Sequence, residues 1–177
     1  MLPVMVLILV GILEFGLLFT SYSTTTASSR SGARIAATRY ATEADKLAEA
    51  TRIAAASTAD LTVLNNATPV GMVVYKVADA ATGRPSGGFP GANMSGGCSS
   101  NCIRFSWNAS TNQMTRTSGT WSNPDACGVI VDSVGVWVQS RHDFITGMIG
   151  SQRYVTGHTV MRLEPLPTDQ CSGENPA

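Results

Sequence analysis

Two histidines, four cysteines and one carboxylate inside an apolar run are the residues of this chain whose types and settings could do chemistry. His142 beside Asp143 has the makings of an acid–base pair, but neighbours at a strand end point in different directions. No nucleophile motif accompanies them: there is no G-x-S-x-G, no S-x-x-K and no catalytic cysteine context. His158 falls inside the last β-like segment and reads as a cross-strand partner. The glycines of GRPSGGFPGANMSGG (83–97) do not follow a strand and open a helix, which argues against a phosphate-cradling loop. Trp107, Trp121 and Trp137 are spread over the β-like half, where packing explains them better than a sugar-binding platform, which stays open. The triplets at Asn66, Asn93 and Asn108 fit N-glycosylation but arise readily in a Ser/Thr-rich chain. These residues lead to the expectation of a non-enzymatic protein with no cofactor and no metal.

The cysteines, Cys98, Cys102, Cys127 and Cys171, all lie in the second half. Zinc would want paired C-x-x-C knuckles, whereas here CSSNC is followed by two isolated cysteines. Disulfides are the better reading, and they place this half outside the cytoplasm. Three connectivities are possible; one in which Cys171 ties the tail back is favoured, because an untethered tail has little use for a cysteine.

Glu14 sits in VMVLILVGILEFGLLF (4–19), where a charge is most expensive. The run is long enough to reach across most of a ~30 Å hydrocarbon layer as a helix. A secretory signal would show a basic stretch before the run, but the first basic residue is Arg30. An ionised carboxylate at mid-membrane costs at least ~2.5 kcal/mol, so such residues usually face a partner. Either Glu14 reaches towards the headgroups or is protonated, or it meets a polar or cationic group on a neighbouring helix. Gly11, Gly16 and the Ser/Thr run that follows would let such a helix come close.

The elements that must position these residues follow from periodicity. Beyond the apolar run there is no proline, and Ile35, Tyr40, Leu47 and Ile53 recur among alanines. The pattern predicts one helix continuing to about Ser57, roughly 85 Å long, with a bend plausible at Gly32 or the Ser/Thr run 23–29. From Asp60 the period changes. Residues 70–78, 102–107, 113–117, 129–140 and 153–165 read as strands, WNASTNQM as a hairpin loop and RHDFITGMIG (141–150) as a short helix or turn. Residues 79–97 read as a long flexible surface loop. The expectation is an α+β fold, an antiparallel sheet of four or five strands packed on the upper part of a long helix. Two units follow: an N-terminal helix over 1–58, with a transmembrane or filament-core part at 2–20 and an amphipathic part at 21–58, and an extracellular disulfide-bearing sheet domain over 60–177.

Composition agrees with a covered surface. Lys+Arg and Asp+Glu are 12 each, which gives no support to nucleic acid as a partner. Charged residues make up only 14% of the chain, too few for a soluble monomer's surface, so much of it should face protein or lipid.

Three blocks resemble the TadE/TadG-like pilin family of tight-adherence (Flp) pili, which are type IV-like filaments. LPVMVLILVGILEFGLLF (2–19), with its Leu2-Pro3, apolar run and Glu14-Phe15-Gly16, is similar to the family's amino-terminal helix. ASSRSGARIAATRY (27–40) resembles the segment that follows, and residues 133–165 resemble its closing strands around a Phe-x-x-Gly-x-x-Gly turn. The resemblance implies a structural pilin or pseudopilin that assembles through its N-terminal helix into an extracellular filament for adhesion or surface contact. Its implied partners are copies of itself or other pilins, the pilus assembly machinery, and the membrane before assembly. The family's prepilin peptidase site, with its early Glu, is expected upstream of Leu2-Pro3, so that Glu is not mapped onto Glu14. The competing readings are a monomeric membrane-anchored surface binding module and an anchored secreted enzyme.

Overall fold

The computed structural model of the chain describes residues 2–62, 67–127, 130–147 and 150–171, with side chains from Val4 onward. Val129, near the head of one expected strand, and Asn66 of the first glycosylation triplet lie outside the described residues. The first helix, α1, spans Leu2–Arg39, 38 residues and about 57 Å at 1.5 Å per residue. It runs through both the Ser/Thr stretch and Gly32 as one helix. The hydroxyls make this possible by bonding back to their own helix: Thr20 Oγ1 donates to Gly16 O (3.0 Å), Ser21 Oγ to Leu17 O (3.1 Å) and Thr25 Oγ1 to Ser21 O (2.7 Å).

The helix does not continue to Ser57. It stops at Arg39, and α2 (Lys46–Leu61) turns back along it, so the single long rod expected from alanine spacing is a helical hairpin. Two side chains cause the reversal. Asp45 caps α2, its Oδ1 accepting from the N–H groups of Leu47 and Ala48, both at 3.0 Å. Lys46 then donates to the carbonyls of Tyr40 (2.9 Å), Ala41 (2.9 Å) and Glu43 (2.6 Å) around the end of α1. Burial lowers the Lys46 ammonium pKa, against the pull of Glu43 and Glu49. Glu49 is buried with Arg39 Nε at 3.5 Å and Arg52 Nη1 at 3.0 Å. Small residues let the two helices meet: a Cβ on Gly32 would strike Ser57 Oγ, and Ser28 Oγ donates to Ser57 O at 2.8 Å. Asp45→Ala is expected to destabilise the protein by about 1 kcal/mol, read as a lower midpoint of thermal unfolding.

The second half is a six-stranded antiparallel sheet, which makes the fold α+β. Its strands are β1 (Ala67–Asp79), β2 (Arg84–Pro85), β3 (Cys102–Asn108), β4 (Gln113–Ser118), β5 (Ser133–Asp143) and β6 (Gln152–Arg162). Their order is β4-β3-β1-β5-β6, with the two-residue β2 pairing to β1 at one end. His158 lies opposite Trp137 in the β5–β6 ladder. Residues 141–143 belong to β5 rather than to a turn, because Ser140, Arg141 and His142 keep pairing with β6.

Alternation divides the strands between two layers. Met72, Val74, Ile103, Phe105, Val134, Val136 and Val138 face the helices and form the main core with Ala33, Ala36, Tyr40 and Ile53. Val73, Tyr75 and Trp137 face the other way, beneath residues 86–101. That segment is therefore folded onto the sheet rather than being a free surface loop. Phe89 packs against Tyr75, Trp137 and His158, with ring centroids 5.9, 6.4 and 4.9 Å apart. Gln139 holds the same segment through Met94 N–H and Gly91 O, both at 3.1 Å, and Arg104 donates to the carbonyls of Met94, Gly96 and Gly97.

Cys98 is bonded to Cys102 and Cys127 to Cys171. The second bond fastens a C-terminal strap. Along it, Glu164 N–H reaches Ala37 O near the end of α1 (2.9 Å), and Leu166 N–H reaches Ala126 O (2.9 Å). Tyr40, whose hydroxyl donates to Trp121 O at 2.6 Å, closes the same end; burial raises its pKa above the usual phenol value.

Candidate functional site

The site is the seam between α1 and the β5–β6 hairpin, which meet through polar side chains. Alternate residues of β5 advance about 6.6 Å, close to one helical turn of 5.4 Å, so one face of each can stay in step. Thr25 Oγ1 lies 3.1 Å from Ser140 Oγ, and Ser21 Oγ is 2.9 Å from His142 Nδ1. On β6, Thr159 Oγ1 is 2.9 Å from Ser29 Oγ. Gly157 lets the helix approach: a Cβ there would lie 2.9 Å from both Thr25 O and Thr26 Cα.

The ladder ends at Glu14. Its carboxylate is 3% exposed, and Oε1 accepts from both the backbone N–H (2.6 Å) and the hydroxyl (2.8 Å) of Thr146, just beyond β5. Oε2 is buried with no hydrogen-bond partner among the described residues. Within this chain, then, a loop amide receives the carboxylate. Phe144 stands between the two rungs, its ring 5.1 Å from His142. Glu14→Leu is expected to destabilise the detergent-solubilised protein by about 1–3 kcal/mol, because it removes the acceptor of two Thr146 hydrogen bonds. Glu14→Gln, which keeps an acceptor, should lose less; equal losses would show that the contact contributes nothing specific.

Below Glu14 the helix is bare. Val4 to Leu9, Ile12 and Leu13 are each between 51 and 66% exposed. Above it only the outer face is open, with Phe15, Phe19 and Tyr22 exposed at i, i+4 and i+7. Between that face and the edge strand β6 runs a groove of about 420 Å³, lined by Phe15, Leu18, Phe19, Tyr22, Arg153 and Tyr154 among others. Gly11 and Gly16 have nothing within 4 Å of a built Cβ, so no contact among the described residues requires glycine at either position. Pro3 lies in the first turn of α1, and its side chain is outside the described residues.

The other chemical candidates are dispersed. Asp143 pairs with Arg141 (3.0 Å), while the adjacent His142 is buried against Ser21. Trp121 and Trp137 are buried in opposite core layers, and Trp107 is half-buried. Among the described residues no group of three His, Cys, Asp or Glu side chains is placed to share a metal ion.

An exposed apolar stem, a carboxylate near its middle and a hydroxyl- and alanine-rich continuation define the first 34 residues. They match the TadE-like protein family over residues 1–34. The resemblance read in the amino-terminal helix is thereby shown for those residues. No curated protein and no solved structure matches the chain. The TadE-like segment ends inside α1, after the hydroxyl ladder and before the helical hairpin turns. The block at 133–165 lies outside it, yet it supplies Ser140, His142, Thr146, Gly157 and Thr159, the other side of the seam. Sequence reading singled out Glu14 and weighed His142 only as an acid–base candidate, but passed over Ser140, Thr146, Gly157 and Thr159. The signal available was the stripe Glu14, Ser21, Thr25, Ser28, polar residues on one helical face.

Proposed function

We propose that the chain is a structural pilin or pseudopilin subunit of a Tad/Flp, type IV-like pilus. It is held in the membrane by residues 2–20 and assembles through that same helix into an extracellular filament for adhesion or surface contact. The observation that carries this reading is the bare stem: a helix long and apolar enough to cross a membrane is continuous with the packed core of the body. Moving such a surface from lipid to sister helices exchanges one apolar environment for another, so close packing and polar matching decide the outcome. Gly11 and Gly16, which no contact among the described residues requires, would be the points of closest approach to other pilins. The disulfide-bearing sheet would then be displayed outside the cell, after handling by the pilus assembly machinery. Two bonded cysteine pairs fit that compartment.

Gly16→Leu separates folding from assembly. The position is open within the chain, so unfolding in detergent should be unchanged or slightly more resistant, since leucine is the better helix former. Incorporation into filaments sheared from the cell surface should fall sharply. If the unsubstituted chain never appears in the sheared fraction, the pilin reading fails.

A further inference from the structure

The apolar surface does not stop where the body begins. On α1 it continues past Glu14 through Phe15 (63% exposed), Phe19 (72%) and Tyr22 (55%). Beside it, just beyond β5, Ile145 is 70% exposed although a folded body adjoins it. Residues 15–29 of the helix and 144–152 of the β5–β6 connection contain no charged residue. Charges and amphipathic rings return together at one level. Arg153 and Tyr154 line the groove at Phe19 and Tyr22, and the Arg141–Asp143 pair flanks His142, the partner of Ser21. Tyrosine and arginine gathered at the edge of an apolar band are the pattern of a membrane–water boundary. From Tyr22 down to Glu14 is eight residues, about 12 Å along the helix. The Glu14–Thr146 bonds bring the connection, four residues past His142, down to that same level.

We propose that the bilayer surface lies at the level of Tyr22, Arg153 and Tyr154, so that the start of the β5–β6 connection dips into the membrane beside α1. Ile145 then faces lipid chains, Phe144 stays half-buried against His142, and the Thr146 amide is carried down to Glu14 inside the apolar layer. This gives the carboxylate its reason. A strand end entering hydrocarbon must satisfy its backbone donors from within the protein, and Glu14 supplies the acceptor. The loop in turn shields the carboxylate from lipid. The occupant of this surface is the acyl and headgroup region of a bilayer, the stage that precedes filament assembly in the proposed function on which this inference rests.

The test uses the full chain with its native disulfides and one added cysteine, at Leu9, Phe19, Ile145 or Ala80. Each variant is labelled with an environment-sensitive dye and reconstituted in phosphatidylcholine–phosphatidylglycerol vesicles carrying nitroxide-labelled acyl chains. Leu9→Cys reports the membrane reading itself. Ala80→Cys, exposed just past the far end of β1, reports the aqueous side. The proposal expects labels at Phe19 and Ile145 to lose emission to the acyl-chain quencher as the Leu9 label does, while the Ala80 label keeps its emission. Quenching at Leu9 without quenching at Phe19 and Ile145 overturns the proposal and leaves the membrane anchor standing, as would shielding of these positions by a second copy. No quenching at Leu9 overturns the anchor and the proposal together.

Discussion

Gly157→Val is expected to destabilise the protein by about 3 kcal/mol, the upper part of the range for overpacking a well-filled contact. For a chain of this size that lowers the unfolding midpoint by roughly 10 °C. The reason is what a Cβ would meet: backbone of α1 at Thr25 and Thr26, 2.9 Å away, rather than the movable end of a side chain. The helix cannot give way locally. Thr25 is bonded to Ser140 on one side of Gly157's level, and Ser29 to Thr159 on the other. Relief therefore requires α1 to lift from β6, and amide exchange should accelerate along Val155–Thr159 before the rest of the sheet. An unchanged midpoint would show that the helix does not pack on the sheet as described.

Loss of the Cys127–Cys171 bond is expected to be at least as costly. The double substitution Cys127→Ser, Cys171→Ser opens a loop closed over a separation of 44 residues. The chain-entropy relation assigns about 4 kcal/mol to such a closure. The structural consequence is local and specific. The strap holding Glu164 N–H on Ala37 O is released, so the end of α1 loses a cap and Tyr40 and Trp121 lose part of their cover. Denaturant titration should show a lower midpoint, and proteolysis should begin beyond Leu163. A variant as resistant as the parent on both counts would mean that the strap is held by its hydrogen bonds and packing alone.

The parts of this fold legible in sequence were those encoded locally. The strands around β1, β3 and β4 follow from runs of β-branched and aromatic residues bounded by Gly, Asn and Ser. The start of β5 was less so: Val131 enters the helix-side core, while the Asp132 N–H bonds to Asp125 O (2.7 Å), a connection that delays the strand to Ser133. The helical hairpin was hidden because alanine spacing runs smoothly through residues 36–54, and only Asp45 marks a new helix start. The segment 86–101 looked free because a single Phe stands among its glycines and serines. Its anchors, Gln139 and Arg104, are remote in sequence. Glu14 was legible as a residue in need of a partner, but Thr146 is 132 positions away. The seam as a whole is a long-range match between a helical stripe and alternate strand residues, and one chain's periodicity shows only its own half.

The central claim is that the outer face of α1 passes from lipid to other pilin helices. Photo-crosslinking through a benzophenone side chain at Ile12 or Phe19 in living cells, followed by shearing, tests it most directly. Both positions are well exposed, at 64 and 72%, so the probe leaves the body undisturbed. The account predicts discrete adducts in the sheared filaments between this chain and either itself or another subunit with an apolar amino-terminal helix. A chain recovered only from the membrane fraction, or present in filaments without adducts at either position, would contradict it.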